Sequence, residues 1–171
     1  AFGWAARSMT YRSAANVQLA ELAMARLDSA EAERYARIAL DYNRLNLSAW
    51  ELLAIVGRKT GNRALATSAT TQLLELDPLH HFVRAEAFLA ARTPAASAAL
   101  LSGLRSEYPD QTMLELAIGY ANRGLTGDAV ALLDAAAGRM RNPLLRAWLA
   151  YLKRDRAALG RPTDVAFVFP Y

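Results

Sequence analysis

The chain of 171 residues contains no cysteine. Disulfide scaffolds, cysteine-based zinc sites and thiol catalysis are thereby excluded. Histidine occurs only as the pair His80-His81, and lysine only as Lys59 and Lys153. Glycine (9) and proline (6) are sparse. A sandwich or barrel would need more turn formers and more β-branched residues than this composition offers. No apolar run reaches the roughly 18 residues of a spanning helix, so no membrane partner is expected. No phosphate-binding glycine loop, dinucleotide fingerprint or nucleophile-elbow signature occurs. No cofactor is expected.

What remains is rich in helix formers. There are 37 alanines and 27 leucines, and 54% of the residues are apolar. Such a chain can bury a sizeable core and is not disordered as a whole. The fold class expected is all-α.

The helices recur in a frame. From Trp50, the residues Leu53, Ala54, Gly57, Gly61, Ala66, Leu73 and Pro78 follow at offsets of 3, 4, 7, 11, 16, 23 and 28. That is the spacing of a tetratricopeptide repeat, a pair of helices A and B about 34 residues long. One unit upstream, Asn16, Leu19, Ala20, Ala23, Ala32, Ala36 and Ala39 occupy the same frame. Further downstream, Leu116, Ala117, Tyr120, Gly124, Ala129, Leu133 and Ala136 do so again. Between them lies a short unit with helix A over 80–91 and helix B over 94–107. Thr93-Pro94 caps that second helix, and Pro109 closes the unit about three residues early.

The organisation predicted is one tetratricopeptide α-solenoid of antiparallel helix pairs. Residues 1–12 are the end of a preceding repeat helix. Repeats follow over 13–46, 47–80, 81–109 (the short one) and 110–142. A terminal-helix segment covers 143–160, with the helix itself over about 143–154, and an apolar tail covers 161–171. Leu145, Trp148, Leu149 and Leu152 form one stripe on that helix. Small residues such as Ala20, Ala54, Ala66 and Ala129 sit where helices approach closely. Both ends look cut, which makes the chain a piece of a longer protein.

Several stretches are more specific than the repeat spacing. They are Ala5-Ala6-Arg7-Ser8-Met9, Arg12-Ser13-Ala14-Ala15, Gln18-Leu19-Ala20-Glu21-Leu22 and Asn43-Arg44-Leu45-Asn46-Leu47. Further on come Leu76-Asp77-Pro78-Leu79-His80-His81-Phe82, Glu115-Leu116-Ala117, Trp148-Leu149-Ala150-Tyr151-Leu152 and Phe167-Val168-Phe169-Pro170. Together they resemble a family of large bacterial proteins. In that family an N-terminal β-sandwich domain of unknown function, related to carbohydrate-active enzymes, precedes a tetratricopeptide region. The departure is residues 92–106, rich in alanine and serine. The resemblance implies a sugar-related β domain upstream and assigns no chemistry to the helical part.

Three functional readings follow. The first is a non-catalytic protein-interaction or scaffold module of a carbohydrate-related bacterial protein. It binds a protein or peptide, or the upstream β domain of the same polypeptide, on the concave face of helices A. In this frame that face carries Gln18, Glu21, Glu51, Arg58, Lys59, Glu86, Glu115 and Asn122. The set is largely acidic and poor in lysine, which counts against a clamp for peptide C-termini and favours a basic or neutral partner.

The second reading uses charge. Net charge is +4, but residues 138–161 hold seven basic groups against Asp155 alone, leaving the rest of the chain at −2. Arg139, Arg141, Arg146, Lys153, Arg154 and Arg156 form a basic patch that could meet an anion or nucleic acid. No aromatic–basic interleaving accompanies it, which counts against nucleic acid. The third is a helical accessory region of a glycoside-active enzyme. His80-His81, at a loop-to-helix junction, reads as a turn, cap or packing element rather than a metal site. Glu31 and Glu33 at a helix start complement the helix dipole and need no catalytic explanation. Gly57 and Gly61 read as a packing site and a C-cap.

Overall fold

The computed structural model describes residues 11–139 and 142–154. Among these residues it contains nine helices and no strand. They are α1 (Arg12–Ala25), α2 (Ser29–Tyr42), α3 (Leu47–Thr60), α4 (Arg63–Leu76), α5 (His81–Ala91), α6 (Pro94–Gly103), α7 (Pro109–Asn122), α8 (Thr126–Ala137) and α9 (Pro143–Leu152).

Local chemistry sets the boundaries. The side chains of Asp28, Asn46, Asn62, Thr93 and Asn142 accept hydrogen bonds from the first backbone N–H groups of α2, α3, α4, α6 and α9. Each satisfies a donor that the helix itself leaves open. Pro94, Pro109 and Pro143 occupy first turns, where a missing N–H costs nothing.

The turns inside the pairs share one conformation. Leu27, Gly61, Arg92 and Gly124 all have positive φ (62, 74, 49 and 76°) and follow α1, α3, α5 and α7. Arg154, after α9, has φ 57°. The links between pairs repeat as well. Asn43 Oδ1 accepts from the Leu45 N–H at 3.0 Å, and Asp77 Oδ1 accepts from the Leu79 N–H at 3.0 Å. These two turns lie 34 residues apart, as do Leu27 and Gly61.

Pairing is by sequence neighbour. α1 packs on α2, α3 on α4, α5 on α6 and α7 on α8. α1, α3, α5 and α7 also touch one another in succession and form an inner layer, whereas the outer helices α2, α4, α6 and α8 touch one another far less. α9 covers α8 and reaches α7. The core runs between the layers and is built largely of alanine and leucine. Ala20, Ala54 and Ala129 are fully buried in it. Gly57 of α3 meets α4 so closely that a Cβ there would lie 2.5 Å from the Ala66 backbone nitrogen. Gly61 is the left-handed C-cap of α3. Leu145 is fully buried, and Trp148, Leu149 and Leu152 pack beside it.

Two details differ from the sequence expectation. α6 ends at Gly103 instead of near 107, since the next residue, Leu104, turns to an extended conformation. α9 ends at Leu152, two residues before the expected 154.

The inner layer also curves back on itself. A Cβ on Gly124, in the α7–α8 turn, would lie 2.9 Å from the Ala25 Cα at the end of α1. The first and fourth pairs therefore touch. Among the described residues no helix is long and apolar enough to cross a membrane.

Candidate functional site on the inner helix layer

Every inner helix ends in a cation, and this brings charge to one side of the layer. Arg26 ends α1, Arg58 and Lys59 fall in the last turn of α3, Arg92 ends α5 and Arg123 ends α7. Cations there complement the negative end of each helix dipole. Two networks of ion pairs result.

The first is centred on Arg123. Its Nε donates to Glu21 Oε1 at 3.2 Å, and its Nη2 donates to Glu51 Oε2 at 2.8 Å. One side chain from α7 thus reaches both α1 and α3. Glu51 Oε1 lies 3.1 Å from His80 Nε2, a charge contact rather than an aligned hydrogen bond. His80 Nδ1 lies 3.6 Å from Asp77 Oδ2. Burial pushes the Glu51 carboxyl up, but His80 and Arg123 more than offset it and hold it below its ordinary value. The contact with Glu51 raises the His80 imidazole above its ordinary value against the effect of burial, and Asp77 adds to the rise.

The second network surrounds Asp128, whose side chain is only 1% exposed. Arg58 Nη2, Lys59 Nζ and Arg92 Nη2 approach its carboxylate at 2.9, 2.7 and 2.6 Å. Burial pushes Asp128 up, and Lys59 and Arg58 outweigh it, so the carboxyl is held below its ordinary value. Arg58 also grips Glu86 with two bonds, of 2.7 and 3.0 Å. Burial works against the Arg58 charge, but Glu86 and Asp128 raise its pKa further above the ordinary arginine range. The buried Tyr120 hydroxyl donates to Glu86 Oε1. Burial, together with Glu86, drives the Tyr120 pKa well above the phenol range.

Between the networks the Tyr120 and Phe82 rings stack, with centroids 5.7 Å apart and planes 9° apart. Beside them a cavity of about 330 Å³ opens between α3, α5 and α7. Glu51, His80, Phe82, Glu115, Tyr120 and Arg123 are among the residues that line it, with His81 beside them. His81 Nδ1 is buried and has no hydrogen-bond partner. Glu115 is exposed and accepts only from the neutral Gln111, at 2.8 Å.

Most of the residues singled out from sequence are brought together here. Glu21, Glu51, Arg58, Lys59 and Glu86 all belong to the two networks. Arg58 and Glu86 are closed off from solvent by these contacts, whereas Glu21 and Lys59 stay partly open to it. Gln18 is exposed and donates to Glu21. Asn122 is exposed at the end of α7. Glu115 faces the cavity. Sequence reasoning missed Arg123, Asp128, Arg92 and Tyr120. The signal that could have found three of them is the cation closing each inner helix, matched by a buried acid in the first turn of α8.

His80 occupies the N-cap position of α5 without a side-chain cap bond. The His80 ring lies beside Phe82, at 6.1 Å between centroids. Among the described residues no group of three or more histidines and carboxylates is placed to hold a metal ion.

Arg139 follows α8, Arg146 lies on α9, and Arg154 follows α9; all three are exposed. Lys153 is tied to Asp134 at 2.7 Å. Arg141 and Arg156 lie outside the described residues.

Comparison with known protein families, with curated proteins and with solved structures finds no match.

Proposed function

We propose that this chain is a non-catalytic interaction or scaffold module, a tetratricopeptide α-solenoid that holds a protein or peptide segment on its inner helix layer. The observation that carries the reading is the cavity of about 330 Å³ set into that layer. Cavities of this size with a few convergent polar groups are the usual form of binding sites. Two further features support it. The left-handed residue after each inner helix and the identical links at 43–46 and 77–80 are what a repeated helix pair requires. The ion pairs of Glu51 with Arg123 and His80 hold one side of the cavity in place before any ligand arrives.

The resemblance to the carbohydrate-related bacterial family suggests one partner, the upstream β domain of the same polypeptide. No co-purification with a separately expressed β domain at micromolar concentration overturns that intramolecular form. The interaction reading itself is tested by selecting peptides from a displayed random library on the folded chain. Enriched sequences are expected to lose binding to Gly119→Trp, which fills the cavity from α7 where a Cβ meets only one ordinary contact. Enrichment no better than on a bare support, or enriched binding that Gly119→Trp leaves intact, overturns it.

A further inference from the structure

The third helix pair is the least firmly seated. α2 packs broadly on α3, whereas α4 barely touches α5, and α6 has little contact with any helix but α5. Charge does much of the work of fixing α5. Toward its C-terminus Glu86 is held by Arg58 of α3, and Arg92 meets Asp128 of α8. At its N-terminal end the charged tie to α3 is His80, whose Nε2 lies 3.1 Å from Glu51 Oε1.

These ties differ in kind. Arginine–carboxylate pairs do not change charge near neutral pH, whereas an imidazole does. Both ring nitrogens of His80 lie near carboxylates, Nε2 by Glu51 and Nδ1 at 3.6 Å from Asp77. Carboxylates only accept, and a neutral imidazole has one N–H to give, so only the imidazolium suits both neighbours. The Nε2 contact is not an aligned hydrogen bond, so it depends on charge and not on direction. The other charged or titratable groups at the cavity are His81 and, from α7, Glu115, Tyr120 and Arg123; Glu21 of α1 is reached through Arg123. Glu115 favours the imidazolium. Arg123 opposes it, but Glu21 and Glu51 engage Arg123. When His80 is neutral, Glu51 is left to Arg123, and the start of α5 loses its charged tie to α3. The stack of Phe82 on Tyr120 still holds that end to α7.

We infer that His80 is a proton-operated latch between α3 and the start of α5. Protonated, it holds α5 against Glu51 and keeps the cavity between α3, α5 and α7 narrow. Neutral, it lets the start of α5 part from α3, and the cavity widens. The arrangement described above is the latched one. The test uses no ligand, so its outcome is separate from that of the interaction reading.

The chain has no cysteine, so Leu45→Cys and Leu79→Cys give two unique sites for spin labels. The two residues are 69% and 60% exposed and lie just before α3 and α5. Their separation is measured by electron–electron double resonance at about pH 5.5 and about pH 9, on either side of the histidine range. One short distance is expected at the lower pH. A second, longer one is expected at the higher pH, with unchanged far-ultraviolet circular dichroism. The midpoint of the change should coincide with the titration of the His80 ring, followed by nuclear magnetic resonance in the unlabelled chain, and lie above the ordinary 6.5. In His80→Gln the distance should not depend on pH. A distance that does not change with pH, a midpoint that departs from that of the ring, or a change that persists in His80→Gln overturns the proposal. So does a loss of circular dichroism alongside the longer distance, because the chain is then unfolding and not opening. If His80→Gln does not fold, the comparison of midpoints decides.

Discussion

Asp128 is the side chain on which most of the inner-layer electrostatics depends. It is buried, and three cations from three different positions close on it. Replacing both partners of such a cluster by apolar groups can be harmless, but removing one leaves buried charge uncompensated. Asp128→Asn is therefore expected to cost about 3 kcal/mol in urea unfolding, since Arg58 retains Glu86 and the loss falls at the lower end of that effect. The pH profile follows from the directions of the shifts. Asp128 and Glu51 are held below their ordinary values, so their contributions are present above the carboxylate range and are lost as pH falls through the lowered values. His80 is raised, so its contribution is complete below its ordinary 6.5 and fades as pH rises through the raised value. Stability should be greatest between about pH 4.5 and 6.5, with a decline on the alkaline side that disappears in His80→Gln. Leu27 offers the opposite lesson. It holds φ 62° and is 74% exposed, so its side chain adds strain and little packing. A non-glycine residue there costs about 1–2 kcal/mol, and glycine's greater freedom when unfolded takes back about half. Leu27→Gly should gain roughly 0.5–1 kcal/mol by the same measurement.

The helices themselves were largely written in the residue pattern. The alanine spacing located the close crossings, and Gly57 and Gly61 took the two roles their positions suggest. Thr93-Pro94 started α6 as expected. The end of α6, at Gly103, came earlier than the spacing placed it. The charged site was half legible. Glu21, Glu51 and Arg58 could be placed on one face by helical spacing, but their partners Arg123 and Asp128 come from another pair 70 or more residues away. Spacing along a chain carries no information on which distant turn will meet which helix end. At the α3–α4 crossing the margin is narrow. Gly57→Ala should cost about 1–3 kcal/mol, because backbone atoms of α4 must move to admit the methyl group. Ala64→Gly on the exposed side of α4 is a control for simple helix propensity, expected near 1 kcal/mol.

A row of helix pairs ordinarily has only neighbour contacts, so each end can unfold without the other. Here the Arg123 bridge to Glu21 and the approach of Gly124 to Ala25 join the first pair to the fourth. The described pairs should therefore unfold in one transition. Gly124→Ala attacks the junction twice, through its positive φ and through the Ala25 backbone. It is expected to broaden or split the denaturant transition, read by the fluorescence of the three tryptophans and by far-ultraviolet circular dichroism for the helices as a whole; coincident, unchanged curves would show that the junction does not couple the ends.

The same junction bears on how the protein is made. Glu21 and Arg123 are separated by 102 positions. On the ribosome α1 emerges long before α7, and chains fold as they appear, N-terminal segments first. α1 thus leaves the exit tunnel with its inner side unfinished, and it waits for more than a hundred further residues to be translated before that side is closed.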